Sequence, residues 1–202
     1  MYTPSHYKNE NLDEVREFLK QNSFGILINQ TDGRPWATHI PLELDVDDEG
    51  KDILAGHISK ANPQWKSFKG NEEVLAIFNG PHSYISSSWY KEEEVPTWNY
   101  IAVHVYGKIH ILNDEAVLDS LHKLVDKYEK ASTNPVSIHN LSHKTMRQIK
   151  GIVGFQIGIT DIHATYKLSQ TRPEDHPKII EELQKTNNPG SHEIANMIKQ
   201  KK

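Results

Sequence analysis

The chain has 202 residues, a formal net charge of -4, 36% hydrophobic residues and no cysteine. That length suits one domain, with room for a helical appendage, and the acidic balance supplies no general attraction to nucleic-acid phosphates. The missing thiols exclude disulfides, thiolate nucleophiles, iron–sulfur clusters and cysteine-type zinc sites, so any redox chemistry must come from a bound cofactor.

In chain order, Asn11, Asp13 and Glu14 resemble a capping box, and Leu12, Val15, Phe18 and Leu19 recur at helical spacing. They predict a short amphipathic helix. Residues 23–28 and 36–42 flank Asp32-Gly33, a strong hairpin signal. Further strands are predicted at 53–57, 74–78, 83–86, 100–112 and 152–167, separated by Gly, Pro, Asp and Asn turns, and Gly107 is read as a bend or bulge at a barrel corner. Residues 114–130 are the clearest helix, with Val117, Leu118, Leu121, Leu124, Val125 and Tyr128 in one stripe for core or interface packing. Residues 173–185 and 191–202 read as two short helices around Asn187-Asn188-Pro189-Gly190. Six or seven strands without regular alternation with helices predict a mainly β protein, an antiparallel barrel or sandwich, followed by a C-terminal helical hairpin.

No apolar run approaches the roughly 18 residues that span a bilayer, and residues 1–6 lack the basic flank and apolar core of a signal peptide. A soluble, cytoplasmic protein without membrane partners is expected. The most informative junction is 56–65, Gly-His-Ile-Ser-Lys-Ala-Asn-Pro-Gln-Trp, where a strand end leads through a polar loop into an Asn-Pro helix start. Unpaired backbone N–H groups beside Lys60 can hold an anion such as a flavin phosphate, although ordinary Asn-Pro helix starts bind nothing.

Twelve histidines raise the question of metal. His139 and His143 are spaced i, i+4 without the glutamate of the H-E-x-x-H pattern, and His104 and His110 share a strand face if Gly107 leaves the alternation intact. Hydrogen-bonded or exposed histidines account for the count without a metal. Ser86-Ser87-Ser88 lacks a nucleophile elbow, and neither G-x-G-x-x-G nor a P-loop is present, so hydrolase, Rossmann and P-loop chemistry drop out. Residues 80–90 and 95–100 set Trp89, Tyr90, Trp98 and Tyr100 beside hydroxyls and an amide, a surface suited to a planar heterocycle or to a protein interface. Two helices around a turn invite a helix-turn-helix reading, but Glu181, Glu182 and Glu193 dilute the positive charge that DNA contact requires. Lys199, Lys201 and Lys202 form the one basic cluster.

Taken together, Gly33-Arg34-Pro35-Trp36-Ala37-Thr38-His39-Ile40-Pro41, Gly56-His57 leading to Ala61-Asn62-Pro63-Gln64-Trp65, and Gly80-Pro81-His82-Ser83-Tyr84-Ile85-Ser86 closely resemble the PaiB family. Val95-Pro96-Thr97-Trp98-Asn99-Tyr100, Val103-His104-Val105-Tyr106-Gly107 and Lys167-Leu168-Ser169-Gln170 extend the resemblance over nearly the whole chain. It implies an FMN-binding split barrel over residues 1–170, related to pyridoxamine phosphate oxidases and flavin reductases. It further implies a helical extension over 171–202, packed on the barrel or on the partner subunit of a homodimer with flavin at the subunit interface. Thr38, His39, His57, Lys60, Ala61, Asn62, Gln64, Trp65 and Trp98 would line the flavin. Ser59-Lys60 stands where the family often carries Ala-Arg, which keeps the charge and loses the bidentate fork. Arg172, after Thr171, is a second phosphate candidate. The resemblance also carries the family's regulatory label, negative transcriptional control of protease synthesis and sporulation. The alternative is a flavin-dependent NAD(P)H oxidoreductase with no direct DNA contact.

Overall fold

The computed structural model describes residues 1–70 and 72–200. In chain order the main elements are α1 (Leu12–Gln21), β1 (Phe24–Thr31), β2 (Arg34–Val46), β3 (Asp52–Ser59), β4 (Glu73–Ile85), β5 (Thr97–Ile111), α2 (Asp114–Glu129), α3 (His143–Met146), β6 (Ile152–Lys167), α4 (His176–Lys185) and α5 (Pro189–Gln200), joined by short 3-10 turns. The strands hydrogen-bond in the closed order β1-β2-β3-β6-β5-β4. The protein is a split β-barrel with flanking helices: of the barrel and sandwich that the strand count left open it is the barrel, and the split form is the one that the family resemblance implies.

Two compact units make up the fold, and β4, β5 and β6 contribute residues to both. The first unit combines residues Leu19–Ile77 and Val105–Ile162. Here β1 and β2 form the expected hairpin, from Phe24↔Pro41 to Thr31↔Arg34. Asp32 (φ 50°) and Gly33 (φ 74°) both adopt left-handed backbone, the two-residue turn that matches strand twist. β2 pairs with β3 only from Leu42↔Gly56 to Val46↔Asp52, so its first half diverges from β3. The 3-10 turn Pro63–Ser67 packs beside that half. Leu27, Leu42, Leu54, Ile58, Val105, Ile109 and Ile157 fill the interior, and Phe68 meets Phe155 edge-on with centroids 5.6 Å apart. α2 is seated at both ends. Its start is capped by Asn113, whose side chain accepts from Ala116 N–H, and Val117 lies against Gly154 so closely that a Cβ on the glycine would come within 2.5 Å of it. At its far end the Lys127 ammonium and Tyr128 hydroxyl both donate to Glu43 on β2.

The second unit combines residues Met1–Phe18, Phe78–His104 and the chain from His163 onward. The Asn11 side chain accepts from Asp13 and Glu14 N–H, so it caps α1 as the sequence predicts. α4 and α5 bury Ile179, Ile180, Leu183, Ile194, Ala195 and Ile198, and the Ser191 hydroxyl meets that of Ser83 on β4 at 2.9 Å. Lys199 ends α5, while Lys201 and Lys202 lie outside the described residues.

Two glycines have roles that differ from their sequence reading. The strands predicted at 74–78 and 83–86 are one continuous β4, because Gly80 is a site of close approach and not a turn: a Cβ there would meet the Phe18 ring at 2.7 Å. Gly107 likewise lies inside one unbroken strand, β5, and is a site of close approach: a Cβ there would come within 3.0 Å of the Gly158 carbonyl oxygen on β6. Burial alternates through the glycine from Val103 to His110, so His104, Tyr106, Lys108 and His110 share the less buried face there. His139 and His143 fall in separate turns, Ile138–Asn140 and α3, and therefore share no helical face.

Candidate functional site

The 56–65 junction is built around one buried side chain. Gln64 is fully buried; its Nε2 donates to Asn29 Oδ1 at 3.0 Å and to the carbonyls of Leu27 and Trp36, and its Oε1 accepts from the Thr38 hydroxyl. Asn62 Nδ2 donates to Thr38 Oγ1 at 2.8 Å. Thr38, Asn62 and Gln64 thus form one network that ties the 3-10 turn to β1, through Leu27 O and Asn29, and to the first half of β2, through Trp36 O and Thr38. Gln64, expected beside a flavin, turns into the core and positions the junction from behind.

The backbone N–H groups expected to be open at this junction are already used. Lys60 N–H donates to Gly151 O, Ala61 N–H to Ser59 Oγ, Asn62 N–H to Ser59 O and Gln64 N–H to Asn62 Oδ1, while Pro63 has none. A side-chain cap on a single 3-10 turn replaces the anion site that the sequence suggested. The positive charge that remains is carried by lysine side chains.

Lys60 and Trp65 border a cavity of about 550 Å³. Ile111, Leu112, Val117, Leu118, Ile152 and Val153 give it apolar walls, and Asp114 and Lys150 add polar edges. Lys60 Nζ donates to Lys150 O at 3.0 Å, which brings the two basic residues to one rim and leaves two ammonium protons for a ligand. Trp65 Nε1 donates to Lys60 O at 3.0 Å, so the indole braces the lysine backbone as well as forming wall. The volume lies within the range of cofactor pockets, and apolar walls with a few charged edges match a planar ring carrying a phosphate tail. The donor set fits FMN.

The other predicted residues are distributed as follows. His39 and Ala61 are exposed, His39 opposite Ile26 in the hairpin register. His57, half-buried, faces Gly154 across the β3–β6 pair. Trp98 is 52% exposed and clusters with His82 and Tyr84, at ring-centroid distances of 5.5 and 6.2 Å. Arg172 is engaged by the Glu94 carboxylate and lies over the Tyr90 ring. Asp114, Met146, Ile149 and Lys150 line the cavity without having been singled out in the sequence. Only the α2 stripe pointed there, through Val117 and Leu118, and it reads equally well as core packing.

Burial pushes the His57 imidazole below its ordinary value of 6.5. His104 is lowered too, by burial first and then by the positive N-terminus and His163. Because the unfolded chain takes up these protons at higher pH than the folded one, stability is complete above about 6.5 and declines as the pH falls from there toward the depressed values. Urea midpoints measured at about pH 7.5 and 5.5 are expected to differ, and His57→Gln should reduce that difference. An unchanged pH slope in the variant would remove His57 from the account.

The family described as "Putative FMN-binding domain" matches residues 1–161. Over 203 aligned positions the chain is 45% identical to "Protease synthase and sporulation protein PAI 2" of Bacillus subtilis (strain 168), covering 100% of this chain and 98% of that protein. The chain belongs to the PaiB family. It carries that family's FMN-binding domain, and FMN is its cofactor. Among solved structures, the FAD and heme binding protein from Mycobacterium smegmatis is similar at a TM-score of 0.61 and 15% identity, over 80% of this chain and 73% of that one. The flavocytochrome Anf3 from Azotobacter vinelandii is similar at 0.59 and 16%, over 79% and 69%. At such identities the likeness establishes the fold alone. Among the described residues no helix is long and apolar enough to cross a membrane.

Proposed function

We propose that this PaiB-family protein is a flavin-dependent regulator of protease synthesis and sporulation that reports on the state of an FMN held in the cavity between Lys60, Trp65 and the start of α2. The observation that carries this reading is the cavity itself: apolar walls of flavin size with two lysines on one rim. Lys60 would meet the phosphate, Trp65 and Val117 would flank the ring, and Asn62 and Thr38 would hold the loop that presents them. When bound, FMN supplies the electron-transfer chemistry. The chain's residues bind, orient and exclude water.

A homodimer belongs to the proposal. It is supported by the exposure of Phe24, Trp36 and Tyr128 and by the half-exposed Leu118, Leu121, Leu124 and Val125 of the α2 stripe. Regulation through direct DNA contact has less support, because the chain is acidic and α5 carries Glu193 near its start.

The test is FMN retention after gel filtration. Wild type is expected to retain near-stoichiometric FMN, and Lys60→Met to bind roughly tenfold more weakly, the loss of one charge-assisted phosphate contact. Undiminished affinity in Lys60→Met would place the phosphate elsewhere. Rapid turnover of NAD(P)H by the loaded protein would favour the oxidoreductase reading over the regulatory one.

A further inference from the structure

The second unit contains a small polar pocket that the flavin reading does not use. It encloses about 170 Å³ and is lined by Tyr7, Tyr90, Glu94, Thr97, Lys167 and Arg172, among others. A water molecule's share of the liquid is about 30 Å³, so the space equals five or six waters, too little for a flavin ring and enough for a small organic ion.

The pocket is organised by the motif Lys167-Leu168-Ser169-Gln170. Ser169 holds φ 58°, a left-handed backbone that a non-glycine residue keeps only when its surroundings impose it. Three contacts do so. The fully buried Asn99 donates to Ser169 Oγ at 2.9 Å, His176 Nε2 lies 2.9 Å from Ser169 O, and Gln170 folds back so that its Oε1 accepts from Leu168 N–H while its Nε2 donates to Tyr166 O. The strained turn brings the side chains of Lys167 and Arg172 to one pocket.

These two cations are unequally satisfied. Arg172 donates to Glu94, stacks over Tyr90 at 4.6 Å, and also feels the buried Asp175 carboxylate, which accepts from Lys91 N–H. Among the described residues the Lys167 ammonium donates only to the Thr97 hydroxyl, and it lies 5.5 Å from the Tyr7 ring centroid. Among the described residues it has no carboxylate partner, although it is half-buried and burial lowers its pKa. A partly desolvated ammonium without a counter-ion is costly, and an anion in the pocket would relieve that cost.

We propose that this pocket binds a small organic monocarboxylate between Lys167 and Arg172, with the partly exposed Glu94 standing on Arg172 in the ligand's place when the pocket is free. A carboxylate is favoured because the Arg172 guanidinium already receives one. A monoanion is favoured because the ligand replaces Glu94 while Asp175 still offsets Arg172, which leaves, among the described residues of the pocket, the charge of Lys167 to be matched. The tyrosine rings and Val95 accommodate a short apolar tail.

The full-length protein, labelled with 15N, is titrated with propionate, inorganic phosphate and chloride while backbone amides are followed. Saturable propionate binding that shifts the Tyr90, Ser169 and Arg172 amides is expected, with phosphate weaker and chloride without effect. Lys167→Met should weaken propionate by roughly tenfold or more, and Glu94→Gln, a change at a partly exposed side chain, should strengthen it several-fold by releasing Arg172. Failure of Glu94→Gln to bind propionate, or phosphate binding more tightly than propionate, overturns the proposal. So does a folded Lys167→Met that binds as well as wild type.

Discussion

Gln64→Leu is expected to destabilise the protein by about 2–4 kcal/mol, the scale at which several buried polar groups lose their partners at once. Leucine matches the volume and supplies no hydrogen bond. The Leu27 and Trp36 carbonyls, the Thr38 hydroxyl and Asn29 Oδ1 would each lose a bond to Gln64. Asn29 is the most exposed to this loss, because its Nδ2 is already buried without a partner. The effect should reach the flavin cavity, since Pro63–Ser67 and Trp65 are held by the same network. Urea denaturation is expected to give a lower midpoint at an unchanged m value, together with weaker FMN retention. Thr38→Val removes one member of the network and should cost about 1 kcal/mol. A Gln64→Leu protein within about 0.5 kcal/mol of wild type would mean that water or backbone movement satisfies those groups, and that the network does not hold the junction.

Gly107→Ala is expected to be as severe, for a steric reason. A Cβ at Gly107 would come within 3.0 Å of the Gly158 carbonyl oxygen on β6 and to 2.5 Å of Ile157 Cγ2. The isoleucine can rotate, whereas the carbonyl moves only if β5 and β6 separate. A cost of about 3 kcal/mol, at the upper end of overpacking effects, is expected. It outweighs the roughly 0.5–1 kcal/mol that alanine gains over glycine in an element interior. Gly158→Ala is the internal control: its Cβ would meet only Lys108 O, at 3.9 Å, so a neutral or slightly stabilising change is expected. Equal thermal midpoints for the two variants would show that β6 can yield at this point.

The contrast between those glycines shows where sequence reading stops. Asp32-Gly33 was legible as a hairpin turn because the positive φ that it needs is a local property of two residues. Asn11 was legible as a helix start because a cap bonds to an N–H two or three positions away. Gly80 was misread as a turn because its reason lies in Phe18, some sixty positions earlier in the chain. Gly107 raised the possibility of a bend, while its constraint comes from the backbone of β6.

The candidate site divides in the same way. Lys60, Asn62, Gln64 and Trp65 stand together in the chain, the last three within the motif that carries the family resemblance, so their proximity needed no structure. Whether each faces a ligand or the core did. Gln64 points inward to bond Leu27 O, Asn29, Trp36 O and Thr38, and the N–H groups of Ala61, Asn62 and Gln64 are occupied because the loop caps itself. The cavity wall draws on residues 111–118 and 146–154, which no local pattern joins to the junction.

By itself the sequence determined the split-barrel class, the turn and cap chemistry, the PaiB membership and, through the absence of cysteine, the need for a cofactor in any redox role. These depend on short-range periodicity, on composition and on motif order. The tertiary structure decided which polar groups remain available, where Lys60 and Lys150 share a rim, and how the Ser169 turn brings Lys167 beside Arg172. Those outcomes depend on hydrogen-bond partners and close approaches supplied from distant parts of the chain, which only folding brings into contact.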